Sequence, residues 1–212
     1  MAESMKVALL LAAGASRRFG ENKLLYRIRD SELGEDHMVR ITTKKFLEAG
    51  VFDEIVVVVG FEHSRIIEVL ADLDVKFVYN PSYSLGMSSS VIAGIKRVVK
   101  YSKLVAVHPS DVPFIKTRTL RYLVDSLPVT YRANCILIPS YQGRGGHPVL
   151  LIGDMIKEAL SIKEEERGLK GLISRYREYV QYLDVNDPGV IMDIDNPEDI
   201  RKAETLRQAD TT

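Results

Sequence analysis

The chain has 212 residues, 46% of them hydrophobic and 27% charged, with Lys plus Arg and Asp plus Glu balanced at 29 each. That length suits one substantial core over residues 1–212, and the charge balance excludes a global field for nucleic acid or an anionic membrane surface, so an anion site has to be built locally. No apolar run approaches the length of a bilayer span and the lone Cys135 has no intrachain partner, which together set the expectation of a reducing, cytoplasmic location.

The first element carries the strongest signal. Val7 to Leu11 is a short, continuous apolar run, the pattern of a strand covered on both faces, and Ala12, Ala13 and Gly14 then keep side-chain bulk away from the backbone. Arg17, Arg18 and Lys23 follow within one loop, beside the amides of Gly14, Ala15 and Ser16, an arrangement suited to a polyanion such as a triphosphate. It is not a P-loop, because Glu21 and Asn22 follow Gly20, nor a dinucleotide fingerprint, because Ser16 stands two residues after Gly14. The stretch also mimics a short secretory signal, but Glu3 sits where positive charge belongs and Arg17 follows the small residues at once. A buried strand with a solvated basic loop is the plainer alternative.

Tyr26 to Glu35 reads as a polar connection. Met38, Ile41, Thr42, Phe46 and Leu47 recur at helical spacing up to a capping Gly50, Glu54 to Val59 is a buried strand closed by Gly60, Arg65 to Leu73 is helical and Val75 to Tyr79 is a strand. This alternation predicts a mainly parallel sheet with helices on both faces and ligands at the carboxyl ends of its strands. After Asn80-Pro81 and Gly86, a helix buries Val91, Ile92, Ile95 and Val98, with Ser88, Ser89 and Ser90 in its first turn, where capping is the simple reading. Strand Leu104 to His108 ends near Asp111, which stands between Pro109 and Pro113 and is placed either to hold a metal ion beside a phosphate or merely to turn the chain. His108 reads as structural.

A helix over Thr119 to Leu127 leads to strand Cys135 to Pro139, with Cys135 a core residue, and then to a glycine-rich hairpin or edge turn around His147. Met155 to Ile162 is helical, Lys163 to Arg167 is a charge run of the kind that forms a solvated face, and Tyr182 to Val185 is a late strand. Asn196 and Pro197 mark a helix start, while Asp193 and Asp195 alternate around Ile194 and point to one side. Arg207 to Thr212 is expected to fray.

Segments spread over nearly the whole chain resemble, in family order, the motifs of the MobA-like nucleotidyltransferases and especially the MocA-type molybdenum cofactor cytidylyltransferases. Leu11, Ala12, Ala13, Gly14, Ser16, Arg18, Gly20 and Lys23 fall on LAAGxSxRxGxxK. Asn80 to Ile95 is similar to NPxWxxGMSSSLxxGL, with Tyr83 at the aromatic, and Asp111-Val112-Pro113 to D-x-P. Gly143 to Leu151 is similar to GxxGHPVLL, and DIDNPEDI stands for DIDTPEDL. Glu166, Gly168 and Lys170 occupy the charged and glycine positions of GDxGAR with changed residues, and Val112 replaces the usual Met or Gln.

The resemblance implies a three-layer Rossmann-like α/β nucleotidyltransferase fold and a division of labour. Residues Ala12 to Ser16, with Arg18 and Lys23, hold the triphosphate; Ser88 to Ser90 line the base; Asp111 and Asp193 bind Mg²⁺, with Mn²⁺ as the alternative and Asp195 in reserve; His147 and Lys170 face the acceptor. Arg18, Lys23, Asp111 and Asp193 are then the catalytic set. CTP is the implied donor, since guanylyl-transferring relatives tend to have Gly where Ala13 stands, and the phosphate of molybdopterin or its molybdenum form is the acceptor, with a molybdenum hydroxylase as client. Three alternatives stay open: another acceptor such as a sugar phosphate, GTP-dependent guanylylation, and a non-catalytic cofactor-binding chaperone.

Overall fold

The computed structural model describes residues 5–16, 19, 21–127 and 134–209. The opening apolar run forms β1 (Met5–Ala12), which pairs in parallel with β4 (Glu54–Val59) on one side and β6 (Ser102–Pro109) on the other. Because side chains alternate across a strand, a continuous apolar run must bury both faces. Ala8, Leu10 and Ala12 pack in the layer of α1 (Met38–Ala49), α2 (His63–Val69) and α4 (Thr117–Asp125), while Val7, Leu9 and Leu11 pack in the layer of α3 (Met87–Val98). Helix α3 lies very close to the sheet, since a Cβ on Gly94 would stand 2.3 Å from a Leu9 methyl.

The eight-stranded sheet runs in the order β10-β7-β9-β6-β1-β4-β5, with β5 (Lys76–Tyr79), β7 (Cys135–Tyr141), β9 (Val149–Ile152) and β10 (Val180–Asp184), and with the short β8 (Arg144–Gly145) hairpinned onto β7. It is mixed and mainly parallel, with β9 antiparallel to both neighbours. The reversal matters for the site. A strand that runs backwards starts at the edge where the parallel strands end, so the residues preceding β9, His147 among them, reach the same edge as the loops after β1 and β6.

The secondary elements differ from expectation in four places. Tyr26 to Glu35 is not a plain connection: β2 (Arg27–Asp30) and β3 (Gly34–His37) form an antiparallel hairpin, anchored by a fully buried ion pair from Lys45 Nζ to Asp30 Oδ2 at 2.9 Å. Helix α2 is shorter than the pattern suggested and ends at Val69. The helix expected from Met155 to Ile162 is one turn, α5 (Met155–Glu158), continued as a 3₁₀ turn at Ala159–Ser161. The chain then forms α6 (Leu169–Arg175), where no helix was expected, and α7 (Pro197–Ala209), which begins at the helix start read from Asn196 and Pro197. Gly50 caps α1 with φ of 64°, and Cys135 is buried with its thiol pushed up to about 11 by that burial, both as read. No helix among the described residues is long and apolar enough to cross a membrane.

Candidate active site

A cleft of about 980 Å³ opens along the edge where β1 and β6 end and β9 begins. Its floor is assembled from three distant parts of the sequence. Lys23, on a 3₁₀ turn whose N-cap Asn22 accepts the Leu24 N–H, donates to Asp111 Oδ2 at 2.6 Å, to Asp195 Oδ1 at 3.2 Å and to the Ile194 carbonyl at 2.8 Å. The Ile194 N–H in turn donates to the Asp111 carbonyl at 2.9 Å, which lays the Asp193–Asp195 segment along the end of β6. Ile194 itself is buried, so the alternation turns Asp193 and Asp195 together into the cleft.

Three carboxylates therefore gather about the Lys23 ammonium. The carboxyl of Asp193 is held above its ordinary value, first by loss of water in the cleft and then by the charges of Asp111 and Asp195, against the pull of Lys23 and Lys170. This surplus of negative charge suits a divalent cation. No cluster of three or more His, Cys, Asp or Glu side chains with metal-binding geometry occurs among the described residues. Two carboxylates are nonetheless the donor set Mg²⁺ takes when phosphate oxygens and water complete its shell.

On the nucleotide side, Ala13, Gly14 and Ser16 line the cleft, whereas Ala12 is sealed in the sheet and Ala15 lies outside the lining. A Cβ on Gly14 would meet no atom of the described residues within 4 Å, so their packing does not require glycine there, and the space is open to a ligand. Arg18 lies outside the described residues. The three serines divide. Ser88 and Ser90 line the cleft, but Ser89 does not: its hydroxyl donates to the Gly86 carbonyl at 2.8 Å and accepts from Asn80 at 2.9 Å. Nor do the serines cap the helix, since Gly86 is the N-cap and the capping carboxylate comes from Glu164, which accepts from Ser88 N at 2.9 Å and Ser88 Oγ at 2.6 Å.

The other wall carries His147 and Lys170. The His147 backbone is fixed by donation of its main-chain N–H to the Val190 carbonyl at 2.7 Å, an approach that Gly146 makes possible, since a Cβ there would stand 2.2 Å from the same oxygen. Burial pushes the His147 imidazole down to about 4, with Asp111 opposing and Lys170 assisting, so at neutral pH it offers a hydrogen bond and no positive charge. Lys170 and Arg167 bring positive charge to that wall. His108 is structural, as read: it is fully buried, its Nε2–H donates to the Val112 carbonyl at 2.9 Å, and burial pushes it down to about 3. Glu166 lies outside the lining and pairs with Arg175 at 2.6 Å.

Sequence reasoning missed Glu164, Arg167 and the bond of Asp195 to Lys23. Glu164 and Arg167 sit in the charge run read as a solvated face, and composition alone gives no sign that two of its residues turn inwards to the cleft.

Residues 8–180 match the family model of the MobA-like NTP transferase domain. Among solved structures, Rv0371c from Mycobacterium tuberculosis H37Rv superposes with a TM-score of 0.80 at 25% identity, covering 95% of this chain and 98% of that one. A manganese complex of Rv0371c superposes at 0.74, with 23% identity over 94% and 97%. The molybdopterin-guanine dinucleotide biosynthesis protein A of Archaeoglobus fulgidus shares the fold, with a TM-score of 0.64 and 17% identity over 96% and 99%. The bifunctional protein GlmU of Caldicellulosiruptor saccharolyticus is 29% identical over 171 residues, which is 76% of this chain, and the chain spans about a third, 35%, of that relative's length.

Proposed function

The chain belongs to the MobA-like NTP transferase family, and on that premise we propose that it transfers the cytidylyl group of CTP to the phosphate of molybdopterin or its molybdenum form, releasing pyrophosphate. The observation that carries this reading is the convergence of Lys23, Asp111 and Asp193–Asp195 on the floor of a cleft that the glycine loop after β1 opens into.

Nucleotidyl transfer asks little covalent chemistry of the protein. It needs a triphosphate held still, a nucleophile in line with the α-phosphorus, and charge neutralised on the departing pyrophosphate. Gly14 and Ser16 offer backbone approach to the phosphates, and Lys23 supplies a cation already placed at the floor. Arg18 is proposed as a second phosphate cation. Asp111 and Asp193 would hold Mg²⁺ or Mn²⁺, which when bound neutralises charge on the α-phosphate. Lys23 occupies Asp111 in the structure described here and is the internal counter-ion of that carboxylate. Neutral His147 hydrogen-bonds the acceptor phosphate, and Lys170 supplies its opposing charge. An acceptor phosphate is already ionised at neutral pH, so no general base is required of the floor.

The test is pyrophosphate release with each of CTP, GTP, ATP and UTP in the presence of Mg²⁺, with and without molybdopterin. Release with CTP only when molybdopterin is present is the expected result. Protein that binds CTP yet releases nothing with molybdopterin would move the assignment to another acceptor, and next to a cofactor-binding chaperone.

A further inference from the structure

Glu164 crosses from the rim of the cleft to the start of α3. Its Oε2 receives both Ser88 donors, at 2.9 Å from the backbone N–H and 2.6 Å from the hydroxyl, while Oε1 has no hydrogen-bond partner among the described residues, and the side chain belongs to the lining of the cleft. The turn that presents it is closed by Arg167 N–H to the Glu164 carbonyl at 2.8 Å and Gly168 N–H to the Lys163 carbonyl at 2.9 Å. Two glycines leave room for the contact. A Cβ on Gly86 would stand 2.3 Å from the Glu164 carboxyl carbon, and one on Gly168 would stand 2.8 Å from Ser88 Oγ; both positions also have positive φ, at 109° and 60°. The carboxylate is therefore built into its place.

Its charge has a consequence for what can lie beside it. The start of a twelve-residue helix favours an anion, and here Glu164 takes that place by accepting from the Ser88 N–H, which sets a fixed negative charge against a phosphate at this end while Lys23 offers a cation at the floor. The uncharged, ring end of a substrate is left to lie along the wall where Ala13 and Tyr83 meet across Gly60, whose Cβ would stand within 2.9 Å of both. A fixed carboxylate oxygen accepts hydrogen bonds and cannot donate them, so it selects a ring edge bearing N–H groups over one bearing a carbonyl.

Building on the nucleotidyl-transfer reading, we propose that Glu164 is a specificity-determining residue whose Oε1 accepts from an amino-bearing heteroaromatic edge of a substrate. Two substrates of that reaction carry such an edge: cytosine through its exocyclic amine, and the pterin acceptor through its amino group. The experiment separates them with Glu164→Gln, which keeps an acceptor for Ser88 but adds a donor. Equilibrium binding of CTP and of UTP with Mg²⁺, and the KM for molybdopterin in pyrophosphate release, are measured on wild type and variant, with melting temperature as a check on folding.

If the edge is the base, wild type binds CTP over UTP and the variant narrows that preference by about tenfold. If the edge belongs to the acceptor, the CTP to UTP ratio is unchanged and the KM for molybdopterin rises by about tenfold at constant kcat. A variant that alters neither ratio nor KM, or that weakens CTP and UTP equally as Glu164→Ala would on simple loss of a helix cap, overturns the proposal. Wild-type protein that binds no nucleoside triphosphate at all overturns the transfer reading and this inference with it, whereas binding of CTP and UTP alike with an unmoved acceptor KM overturns this inference alone.

Discussion

On the floor of the cleft, Lys23, Asp111 and the Asp193–Asp195 segment are tied to the ends of the central strands by backbone and ion-pair contacts, whereas at the rim Glu164 and Arg167 ride on one exposed turn and Lys170 on the start of α6 that follows it. The rim is held by the local hydrogen bonds of its own turn and by the Glu164–Ser88 contact. Rigid placement suits groups that must meet developing charge, and an exposed turn suits groups that choose among ligands, so the two regions separate chemistry from selection.

The largest expected effect comes from breaking the floor. Asp111→Ala removes a proposed metal ligand and the closest partner of Lys23, and should lower kcat by about a thousandfold or more while the protein stays folded. Full cellular activity in that variant, with ligand binding intact, would favour the chaperone reading. Next, Lys23→Ala should weaken triphosphate use by about a hundredfold, read as kcat/KM for CTP, and leave acceptor binding nearly unchanged. Equal losses on both substrates would erase the distinction between the two sides of the cleft. At the rim, Lys170→Ala should raise the acceptor KM by about tenfold and leave CTP binding in place; a drop in kcat with both KM values fixed would move Lys170 to the floor in function.

The smallest effect on activity, and one that sharpens the comparison from beneath, concerns His108. Its imidazole is pushed down to about 3 in the folded protein and returns to its ordinary value near 6.5 when unfolded, so the unfolded chain binds more protons between those limits. The contribution to stability is complete above about 6.5 and is lost as pH falls through that window. Melting temperature should therefore decline on acidification below pH 6.5, and His108→Phe, which keeps an apolar ring against Phe46, should flatten the decline with little change in catalysis; an equally steep decline in the variant would assign the acid sensitivity elsewhere.

Where the sequence was legible, one residue pattern had one physical solution. A continuous run such as Glu54 to Val59 can be satisfied only by burial on both faces, and Gly50 after an amphipathic run marks a helix end because few other residues adopt a positive φ cheaply. Asp193 and Asp195 around buried Ile194 were legible for the same reason. The hairpin at Arg27 to His37 was not, because its anchor is a buried Asp30–Lys45 pair between residues that read as surface charges until each is known to face the other. Glu164 was hidden likewise: in the run from Lys163 to Arg167 every residue suits water, and only the position of Gly86 and Ser88 across the cleft turns Glu164 towards α3.

By itself the sequence determined the alternation of strand and helix from β4 to α4, the two-sided burial of β1 and β4, the glycine loop and the side to which Asp193 and Asp195 point, since these follow from local periodicity and backbone freedom. The tertiary structure alone decided that β9 runs backwards and brings His147 to the strand ends, that Lys23 rests on Asp111 and Asp195, and that Glu164 caps α3. Those contacts join residues far apart in the chain, and charge pairing over such separations is fixed by which elements the buried core brings face to face.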